Sequence, residues 1–428
     1  MKFLKTWSAR RRAFQMADGV QPANGPKIKG PTKRNGDVKP GYDVIVIGAG
    51  SMGSAAAYHL ARDGRRVLLV EQFQVGHTRG SSHGGSRIIR YTHDQVDHAR
   101  LMPATFALWQ QLEEESGERL LQLTGGLYLG AADNAFVAAC RTALETLNFP
   151  YRLLDHQELG RTYPQFRLPA GWIGLYQEQT GILAASRAVQ VMVREAVRHG
   201  AELREKTRVQ SVTPAGTGVT VHLAGPQGDE VVQAEQAILA AGPWASTFLR
   251  TLLDFPIPLR VTHQQVAYFR AGRPEDFAVG QFPVFIVGED PHFYGFPIFE
   301  RPGTVKVALE QDVRTVDPDQ EGTEDPAMTA ELSGLIARHL PGLNAKPELV
   351  EICRYTETPN RAFIIDRHPT FPQILIAAGF SGRGFKHAIA VGRLLADLSA
   401  AAPGVYDSPF WLDEFRLSRF QASQEAAV

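Results

Sequence analysis

The sequence predicts an α/β protein in which a discontinuous Rossmann-type domain shares the chain with an α+β domain built on a mixed or antiparallel sheet. Three observations lead to this prediction. A strand, a glycine-rich turn, a helix and a second strand follow one another within residues 42–73. Two later apolar segments that end in glycine, 237–242 and 374–379, are typical of strands that return to a parallel sheet. Residues 255–325 contain short alternating strands with Pro and Gly turns, which indicate the second sheet.

The glycine-rich turn has G-x-G-x-x-G spacing, with its glycines at Gly48, Gly50 and Gly53. In such a turn the first glycine permits a tight bend, the second lets the backbone approach a pyrophosphate, and the third lets helix and strand pack closely. Free N–H groups at the start of the helix, which begins with Ser51 and Met52, favour phosphate binding. We therefore predict that these five residues contact a dinucleotide.

The segments on either side of the turn support the same interpretation. Val44–Ile47 is a short, apolar, β-branched run, as expected of a parallel strand that is buried on both faces. The helix is predicted to extend to Arg62, and a second apolar strand, Val67–Val70, ends on Glu71. An acid at this position accepts hydrogen bonds from a ribose and disfavours a 2′-phosphate. The motif alone leaves both FAD and NAD open as the cofactor.

Apolar periodicity predicts the remaining elements, with helices at 101–115, 186–199, 328–340 and after the turn at 380–384, and strands at 120–129, 207–209, 219–223, 261–269 and 305–309. The segment 152–181 is rich in Pro and Gly and lacks periodicity, so we expect surface or domain-crossing structure there. For the polar residues 77–94, composition alone favours a surface loop in which Arg87 and Arg90 are solvated. The alternative is a loop that brings these two cations to the cofactor.

Length and charge limit the possible functions. The 428 residues are enough to bury a large core and to form two domains. Basic and acidic residues number 45 each, but residues 1–41 contain ten basic residues against Asp18 and Asp37, so the remainder has a net charge of −8. This acidic body argues against nucleic acid as the main partner. The basic tail, residues 1–40, has little to bury and is expected to be disordered.

Membrane and metal partners are not expected. No run approaches the roughly 18 apolar residues of a membrane span. The two cysteines, Cys140 and Cys353, are far apart and have no metal-ligand spacing. Two isolated cysteines favour a reducing compartment, and we expect the protein to be cytoplasmic.

Five separated motifs give the sequence a resemblance to a known family. In chain order they read GAGSMGSAAAYHLA, HGGSRIIR, FYGFP, CRYTETPNRAFIID and IAAGFSGRGFK. Together they resemble the monomeric sarcosine oxidase and N-methyltryptophan oxidase family, which are flavoenzymes with D-amino-acid-oxidase-like folds. The resemblance extends from Tyr42 to Phe420 and leaves out the tail before Pro40. It implies that the cofactor is FAD.

The resemblance also implies how the cofactor is held. Cys353 matches the cysteine that bonds covalently to the 8α-methyl group of FAD, although on chemistry alone a solitary cysteine is usually a small buried apolar residue. Arg87 matches an arginine that lies against the flavin ring. The remaining cofactor contacts implied by the resemblance are Val209, Gly382, Gly384, Phe385 and Lys386.

A set of catalytic residues follows from the same resemblance. Arg90 and Lys386 match the pair that clamps the substrate carboxylate, where charged hydrogen bonds contribute about 1.5–3 kcal/mol each. Lys306 matches the lysine near flavin N5 that promotes reaction with oxygen through its fixed positive charge. Without the resemblance, it would be interpreted as a lysine on the solvated face of a strand. The other catalytic candidates, which match residues near the flavin or in the substrate cavity, are His83, Tyr294 and Tyr355.

One position departs from the family. The family has a histidine four residues after the oxygen-activating lysine, and Glu310 takes that place here. A carboxylate there would favour a cationic amine and repel a second carboxylate. The departure therefore leaves open which amino acid is the preferred substrate, and whether that substrate is sarcosine.

The resemblance and the order of the elements together give a domain assignment. We expect an FAD-binding domain formed by residues 41–121, 185–250 and 360–402. We expect a substrate domain formed by residues 122–184 and 251–359, followed by a tail at 403–428.

The expected activity is oxidation of the C–N bond of a secondary amino acid, such as sarcosine or N-methyl-L-tryptophan, with reduction of O2 to hydrogen peroxide. The expected partners are the amino acid and O2, and the expected state is a monomer. Alternatives with the same fold act on proline, pipecolate or a D-amino acid, with O2 or another electron acceptor. Two further alternatives are an NAD-dependent dehydrogenase and a flavoprotein retained for binding or regulation.

Overall fold

The computed structural model describes residues 41–253, 255–310 and 314–420. The predicted disorder of residues 1–40 and the last part of the predicted tail, 421–428, lie outside this range. The helices of the described residues are α1 (Ser51–Arg62), α2 (Val96–Ser116), α3 (Ala135–Thr146), α4 (His156–Thr162), α5 (Ala185–Arg198), α6 (Ala245–Leu253), α7 (Pro326–His339) and α8 (Ala388–Ala400). In the part of the chain that is described, no helix combines the length and the apolar character needed to cross a membrane.

The strands, in chain order, are β1 (Tyr42–Ile47), β2 (Val67–Val70), β3 (Ser86–Arg90), β4 (Leu121–Leu123), β5 (Gly126–Ala131), β6 (Arg152–Leu154), β7 (Trp172–Gln177), β8 (Thr180–Ala184), β9 (Glu202–Arg204), β10 (Arg208–Ala215), β11 (Gly218–Gly225), β12 (Gly228–Leu239), β13 (Arg260–Ala271), β14 (Val284–Val287), β15 (Phe293–Gly295), β16 (Thr304–Leu309), β17 (Leu343–Glu357), β18 (Ile364–Arg367) and β19 (Ile374–Ala378).

The first sheet has the strand order β10-β11-β12-β1-β2-β9, and β19 and β18 extend it from β12. β1 pairs in parallel with β12 and β2, and β12 pairs in parallel with β19. Helix α1 packs on this sheet beside α5 and α8, and its buried Ala55, Ala56 and Ala57 allow the close approach. The carboxyl ends of β1, β2, β12 and β19 therefore meet at one edge, where such sheets bind ligands.

The second sheet has the order β17-β13-β16-β15-β14-β5-β7-β6. It is mixed, because β14 pairs in parallel with β5 while the other pairs are antiparallel. One face packs with α7 into an aromatic core that includes Phe269, Phe285 and Phe293. Since side chains alternate along a strand, the other face of β13, β16 and β17 presents a separate set of residues, described below.

A third, antiparallel sheet has the order β3-β8-β4. In it Arg87 lies opposite Leu183 and Arg90 lies opposite Thr180. The structure thus places both arginines on a paired strand, where the polar composition of residues 77–94 predicted a loop.

The predicted fold class is confirmed, because the chain combines a parallel-centred α/β sheet with a mixed sheet. The domain boundaries given above stay a prediction. The segment 152–181, predicted to be surface or domain-crossing structure, forms β6, α4, β7 and the start of β8, and most of its residues are exposed or half-buried. Its prolines, Pro164 and Pro169, lie between these elements. A local signal was present in the capping box of α4, in which Asp155 and Glu158 each accept a backbone hydrogen bond from the other's N–H.

Candidate active site

A cavity of about 510 Å³ lies at the carboxyl edge of the first sheet. The glycines of the first turn form part of its wall. Gly48 has a φ of +98°, and a Cβ there would lie 2.5 Å from the carbonyl oxygen of Ala240. A Cβ on Gly53 would lie 1.8 Å from the carbonyl oxygen of Gly48. Only glycine fits either position, so the turn keeps the backbone bare beside the cavity.

The acid at the end of β2 is fixed at the same edge. Glu71 is buried, and its Oε2 accepts a hydrogen bond from the N–H of Ala49 at 2.9 Å. Its Oε1 accepts one from the N–H of Phe73, also at 2.9 Å. The N–H of Ser51 donates to Ser82 Oγ at 3.0 Å, which ties the start of α1 to the loop after β2. The cavity thus combines a helix N-terminus, a glycine turn and a held carboxylate, and these features fit the phosphates and ribose of a dinucleotide.

A smaller cavity of about 100 Å³ adjoins the first one. The two share wall residues, namely His83, Arg87, Tyr355, Gly382 and Phe385. The predicted residues that line only the smaller cavity are Arg90, Tyr294, Lys306, Cys353 and Lys386. Those that line only the larger one are Gly48, Gly50, Ser51, Met52, Glu71, Val209 and Gly384. Gly53 is the predicted site residue that lines neither, because it packs under Gly48.

Strand register explains why residues distant in sequence meet at the smaller cavity. In the second sheet, Lys306 of β16 lies opposite Tyr268 of β13, and Cys353 of β17 lies opposite Gln264 of β13. Tyr294 of β15 lies opposite Ala308 of β16. These residues therefore share the face opposite the aromatic core. The fold brings Lys306, Cys353 and Tyr294 together without any local sequence signal.

Lys306 is buried, with an exposed fraction of 4%. Its Nζ donates to Ser86 Oγ at 3.2 Å and lies 3.5 Å from Glu300 Oε1. Burial and the positive charge of Arg87 lower the pKa of Lys306, whereas Glu300 and Glu351 oppose that shift. The interpretation of this lysine as a solvated strand residue is wrong.

The thiol of Cys353 is buried and lies 3.9 Å from Arg87 Nη2. Burial raises its pKa, but His83 and the guanidinium of Arg87 outweigh that effect and lower the pKa to about 7. A thiolate is the nucleophilic form of cysteine, so this residue is available for covalent chemistry near neutral pH. Cys140 differs, because burial raises its pKa to about 12.

Arg90 and Lys386 bring two buried positive charges to the smaller cavity, where the carboxylates of Asp94 and Glu310 act on both. Arg90 is 8% exposed, and its buried Nη1 has no hydrogen-bond partner in the described residues. The composition-based prediction that Arg90 is solvated is therefore wrong. The same prediction is wrong for Arg87, whose guanidinium donates hydrogen bonds to the carbonyl oxygens of Ser86 and His83. Lys386 Nζ donates to a backbone carbonyl, and burial together with Arg90 lowers its pKa to about 7. Such a pair is suited to an anionic ligand.

Glu310 lines the same cavity but is not a bare anion. Its Oε1 accepts from Arg361 Nη2 at 2.8 Å, and its Oε2 lies 3.7 Å from His292 Nε2. Burial raises the pKa of Glu310, but His292, Arg361 and Arg383 outweigh burial and lower it. These neighbours reduce the effect of the Glu310 charge on a substrate. His292 and Arg361 are 18 and 51 residues away in sequence, and the sequence alone did not identify them.

Sequence reasoning also missed Tyr268, Glu300 and Glu351, which surround Lys306. Tyr268 OH donates to Glu300 Oε1 at 2.5 Å and lies 3.0 Å from Glu351 Oε2. Tyr268 lies directly opposite Lys306 in the sheet, so the strand register would have identified it as a neighbour of this lysine. Glu300 lies in the turn before β16, and nothing local in the sequence distinguishes it.

A nucleotide-binding sheet whose ligand cavity adjoins a small basic cavity is typical of an enzyme that presents a bound cofactor to a substrate. A family model described as FAD dependent oxidoreductase (DAO) matches residues 43–398. The chain therefore belongs to the DAO family of FAD-dependent oxidoreductases. This membership decides for FAD the choice that the glycine motif left open, and it excludes the NAD-dependent alternative.

Individual relatives confirm the resemblance to sarcosine oxidases. The human peroxisomal sarcosine oxidase is 38% identical over 393 residues, which cover 90% of this chain and 98% of the human protein. Monomeric sarcosine oxidase from Bacillus sp. (strain NS-129) is 32% identical over 391 residues, with 90% and 98% covered. The solved structure of NikD, an unusual amino acid oxidase essential for nikkomycin biosynthesis, has a TM-score of 0.76 at 27% identity and covers 88% of this chain and 97% of its own.

Proposed function

We propose that this protein oxidises the C–N bond of secondary amino acids, with N-methyl amino acids such as sarcosine as the substrate class and O2 as the electron acceptor. The observation that carries the proposal is the pair of buried cations, Arg90 with its unpartnered Nη1 and Lys386, in a cavity that adjoins the cofactor cavity. A carboxylate that binds this pair restores the charge of Lys386 and occupies the unpartnered Nη1 of Arg90. The relatives named sarcosine oxidase support the substrate class.

The residues of the chain orient the substrate and shield it from water. With the carboxylate held by Arg90 and Lys386, the amine and its N-methyl group extend toward the shared wall of the two cavities, which includes Tyr355 and Phe385. FAD, when bound, supplies the two-electron acceptor. The substrate loses two electrons and two protons and becomes an imine, which water hydrolyses to formaldehyde when the group is N-methyl. Lys306 provides a fixed positive charge where O2 gains electrons, and the product is hydrogen peroxide.

The experiment that tests this activity is an aerobic panel of amines with peroxide release as the readout. The panel contains sarcosine, N-methyl-L-tryptophan, L-proline, L-pipecolate and D-alanine, together with the tertiary amine trimethylamine, which has no carboxylate. We expect peroxide with N-methyl amino acids and none with trimethylamine. Peroxide with trimethylamine at the same rate as with sarcosine would contradict the role of the cation pair.

We further propose that FAD is attached through Cys353. The support is the thiol's pKa of about 7 and its position in the smaller cavity, 3.9 Å from Nη2 of Arg87, which lines both cavities. Denaturation of the wild type should leave the flavin bound to the peptide, whereas Cys353→Ser should release it. The matched control is Cys140→Ser, which changes the other buried thiol and should retain the flavin. Peptide-linked flavin in Cys353→Ser would refute the attachment.

The proposal includes a monomeric, cytoplasmic enzyme. Neither Cys140 nor Cys353 forms a disulfide bond within the described residues, as expected in a reducing compartment. Light scattering of the purified protein tests the monomer directly, and a mass twice that of the chain would contradict it.

A further inference from the structure

Two carboxyl groups and one phenol form a partly buried network beside Lys306. Tyr268 is 1% exposed, and its hydroxyl oxygen lies 2.5 Å from Glu300 Oε1 and 3.0 Å from Glu351 Oε2. The carboxyl group of Glu300 occupies the space beside Gly85, where a Cβ would lie 1.5 Å from Glu300 Oε2. The chain therefore has a site built to hold this carboxyl group against the third sheet.

The number of protons in this network is limited by chemistry. A phenol has one proton to donate, and an ionised carboxylate can only accept. Two carboxylates that both contact the hydroxyl oxygen of Tyr268 cannot both be satisfied by that single proton. The geometry allows one proton to be shared, with one carboxyl group donating to the phenol oxygen while the phenol donates to the other. The 2.5 Å contact between Tyr268 and Glu300 has the length of a charge-assisted O–H···O bond.

The network has an inner and an outer end. At the inner end, Glu300 Oε1 lies 3.5 Å from Lys306 Nζ and accepts from Ser86 Oγ at 3.3 Å. At the outer end, Glu351 Oε1 lies 3.5 Å from Nη2 of Arg301, whose side chain is 50% exposed. The other charged or titratable groups that act on Lys306 are Arg87 of β3 and Cys353 of β17.

We propose that Glu351, Tyr268 and Glu300 form a relay that exchanges one proton between solvent and Lys306. In one transfer, the O–H bond of the Glu351 carboxyl group breaks and its proton passes to the oxygen of Tyr268. The phenol's own proton passes to Glu300 Oε1, so the phenol is restored. The Glu300 carboxyl group then protonates Lys306 whenever that amine has lost its proton, and water recharges Glu351. No electrons move, and the net change is one proton taken from solvent.

The relay rests on the proposed function in one respect, since it matters for turnover only if Lys306 serves the oxygen step. Because burial and Arg87 lower the pKa of Lys306, this lysine needs both a nearby anion and a route for reprotonation. The three relay residues act through Lys306 and are positioning residues. They supply the anion and the route together.

The first test reads the shared proton in the resting protein by infrared spectroscopy. We expect the C=O stretching band of a protonated carboxyl group at pH 7 in the wild type. In Glu300→Gln, and likewise in Glu351→Gln, this band should lose the intensity of one protonated carboxyl group. The single carboxyl group that remains in each variant is then ionised and accepts the hydrogen bond that the phenol donates. Glu348→Gln is the matched control, since Glu348 is on the same strand but pairs with Arg270 at the surface. An unchanged band in both relay variants would overturn the proposal.

The second test is the pH profile of the oxygen reaction of the reduced holoenzyme. Glu300→Gln removes the anion that raises the pKa of Lys306, so the pH at which the oxygen rate falls should move down by about one unit or more. The anaerobic reaction with the amine should keep its wild-type rate. An oxygen profile identical to that of Glu348→Gln would overturn the proposal. If no N-methyl amino acid reacts, the proposed function fails, and the infrared bands still decide whether the relay exists.

Discussion

Lys306 and Lys386 line the same small cavity but differ in what compensates their charge. The Nζ of Lys306 lies 3.5 Å from the carboxylate of Glu300. The Nζ of Lys386 donates to a backbone carbonyl, and the charges that lower its pKa are those of Arg90 and Arg383. The first lysine has a carboxylate at 3.5 Å, whereas at the second burial and the charges of Arg90 and Arg383 outweigh the carboxylates of Glu310 and Asp94. Lys306 therefore has an ion-pair partner within the protein, and a bound carboxylate would supply one to Lys386.

This contrast separates the two halves of the proposed reaction. A cation with an ion-pair partner in the protein suits a step in which negative charge develops on O2. A cation whose pKa is lowered to about 7 suits the binding of a carboxylate, because the ligand supplies the missing anion. Each half should therefore respond to substitution of only one of the two lysines.

The largest expected effect is that of Lys306→Met on the oxygen reaction. Loss of one preorganised electrostatic group typically costs about 10²–10³ in rate, so reoxidation by O2 should slow by that factor. The rate is measured by mixing reduced enzyme with oxygenated buffer. Lys346→Met, at an exposed position on β17, is the control and should behave as the wild type. Unchanged reoxidation in Lys306→Met would remove this lysine from the oxygen step.

The next effect is that of Lys386→Met on the affinity for the amino acid. Loss of a charged hydrogen bond worth about 1.5–3 kcal/mol should raise KM for sarcosine by about 10- to 150-fold. The rate of reoxidation by O2 should stay as it is in the wild type. Steady-state kinetics at fixed oxygen measure the change. A KM within twofold of wild type would show that the carboxylate binds elsewhere.

A pH dependence of carboxylate binding should follow from the same lysine. Only the protonated form of Lys386 attracts an anion, and its pKa in the free cavity is about 7. Binding at higher pH must therefore take up a proton, and Kd for propionate should rise about tenfold per pH unit above this value. Spectral titration of the flavin measures Kd. In Lys386→Met the slope should disappear, and a wild-type Kd that is flat between pH 7 and 9 would contradict the assignment.

The smallest expected effect concerns Glu310. Its carboxylate is paired with Arg361, and the pair is partly exposed, so its contribution is about 0–1 kcal/mol. Glu310→Gln should raise the kcat/KM of N-methyl-L-aspartate relative to sarcosine by up to about fivefold, because the anion that repels a second carboxylate is gone. The surface variant Glu348→Gln is the control. A falling ratio would mean that Glu310 does not face the substrate side chain.

The first sheet could be predicted because its signals are local. The strand, glycine turn, helix and acid of residues 42–73 follow one another along the chain as they do in the motif. The role of each can be explained from its own residues. The site is different, since the partners of Lys306 and Glu310 come from other strands and turns. Tyr268 and Arg361 reach these residues through strand register and chain packing, which a single sequence does not contain. The resemblance supplied Lys306 itself but not the groups that set its charge.

The failure at residues 77–94 has a separate cause. Composition alone treats Gly, Ser and Arg as surface residues, but β3 places Arg87 and Arg90 on a paired strand with β8. Burial of an arginine is costly unless an anion or an acceptor is present. The unpartnered Nη1 of Arg90 is therefore itself a sign of a ligand site.

Lys306 and Lys386 are expected to serve separate halves of one reaction, namely reoxidation by O2 and binding of the amino acid. Stopped-flow measurement of flavin reduction and of reoxidation in Lys306→Met and Lys386→Met tests this most directly. In Lys306→Met, anaerobic bleaching of the flavin by sarcosine should proceed at the wild-type rate while reoxidation slows. In Lys386→Met, bleaching should require far more sarcosine while reoxidation stays normal. A result in which either variant impairs both halves to the same degree would contradict the claim.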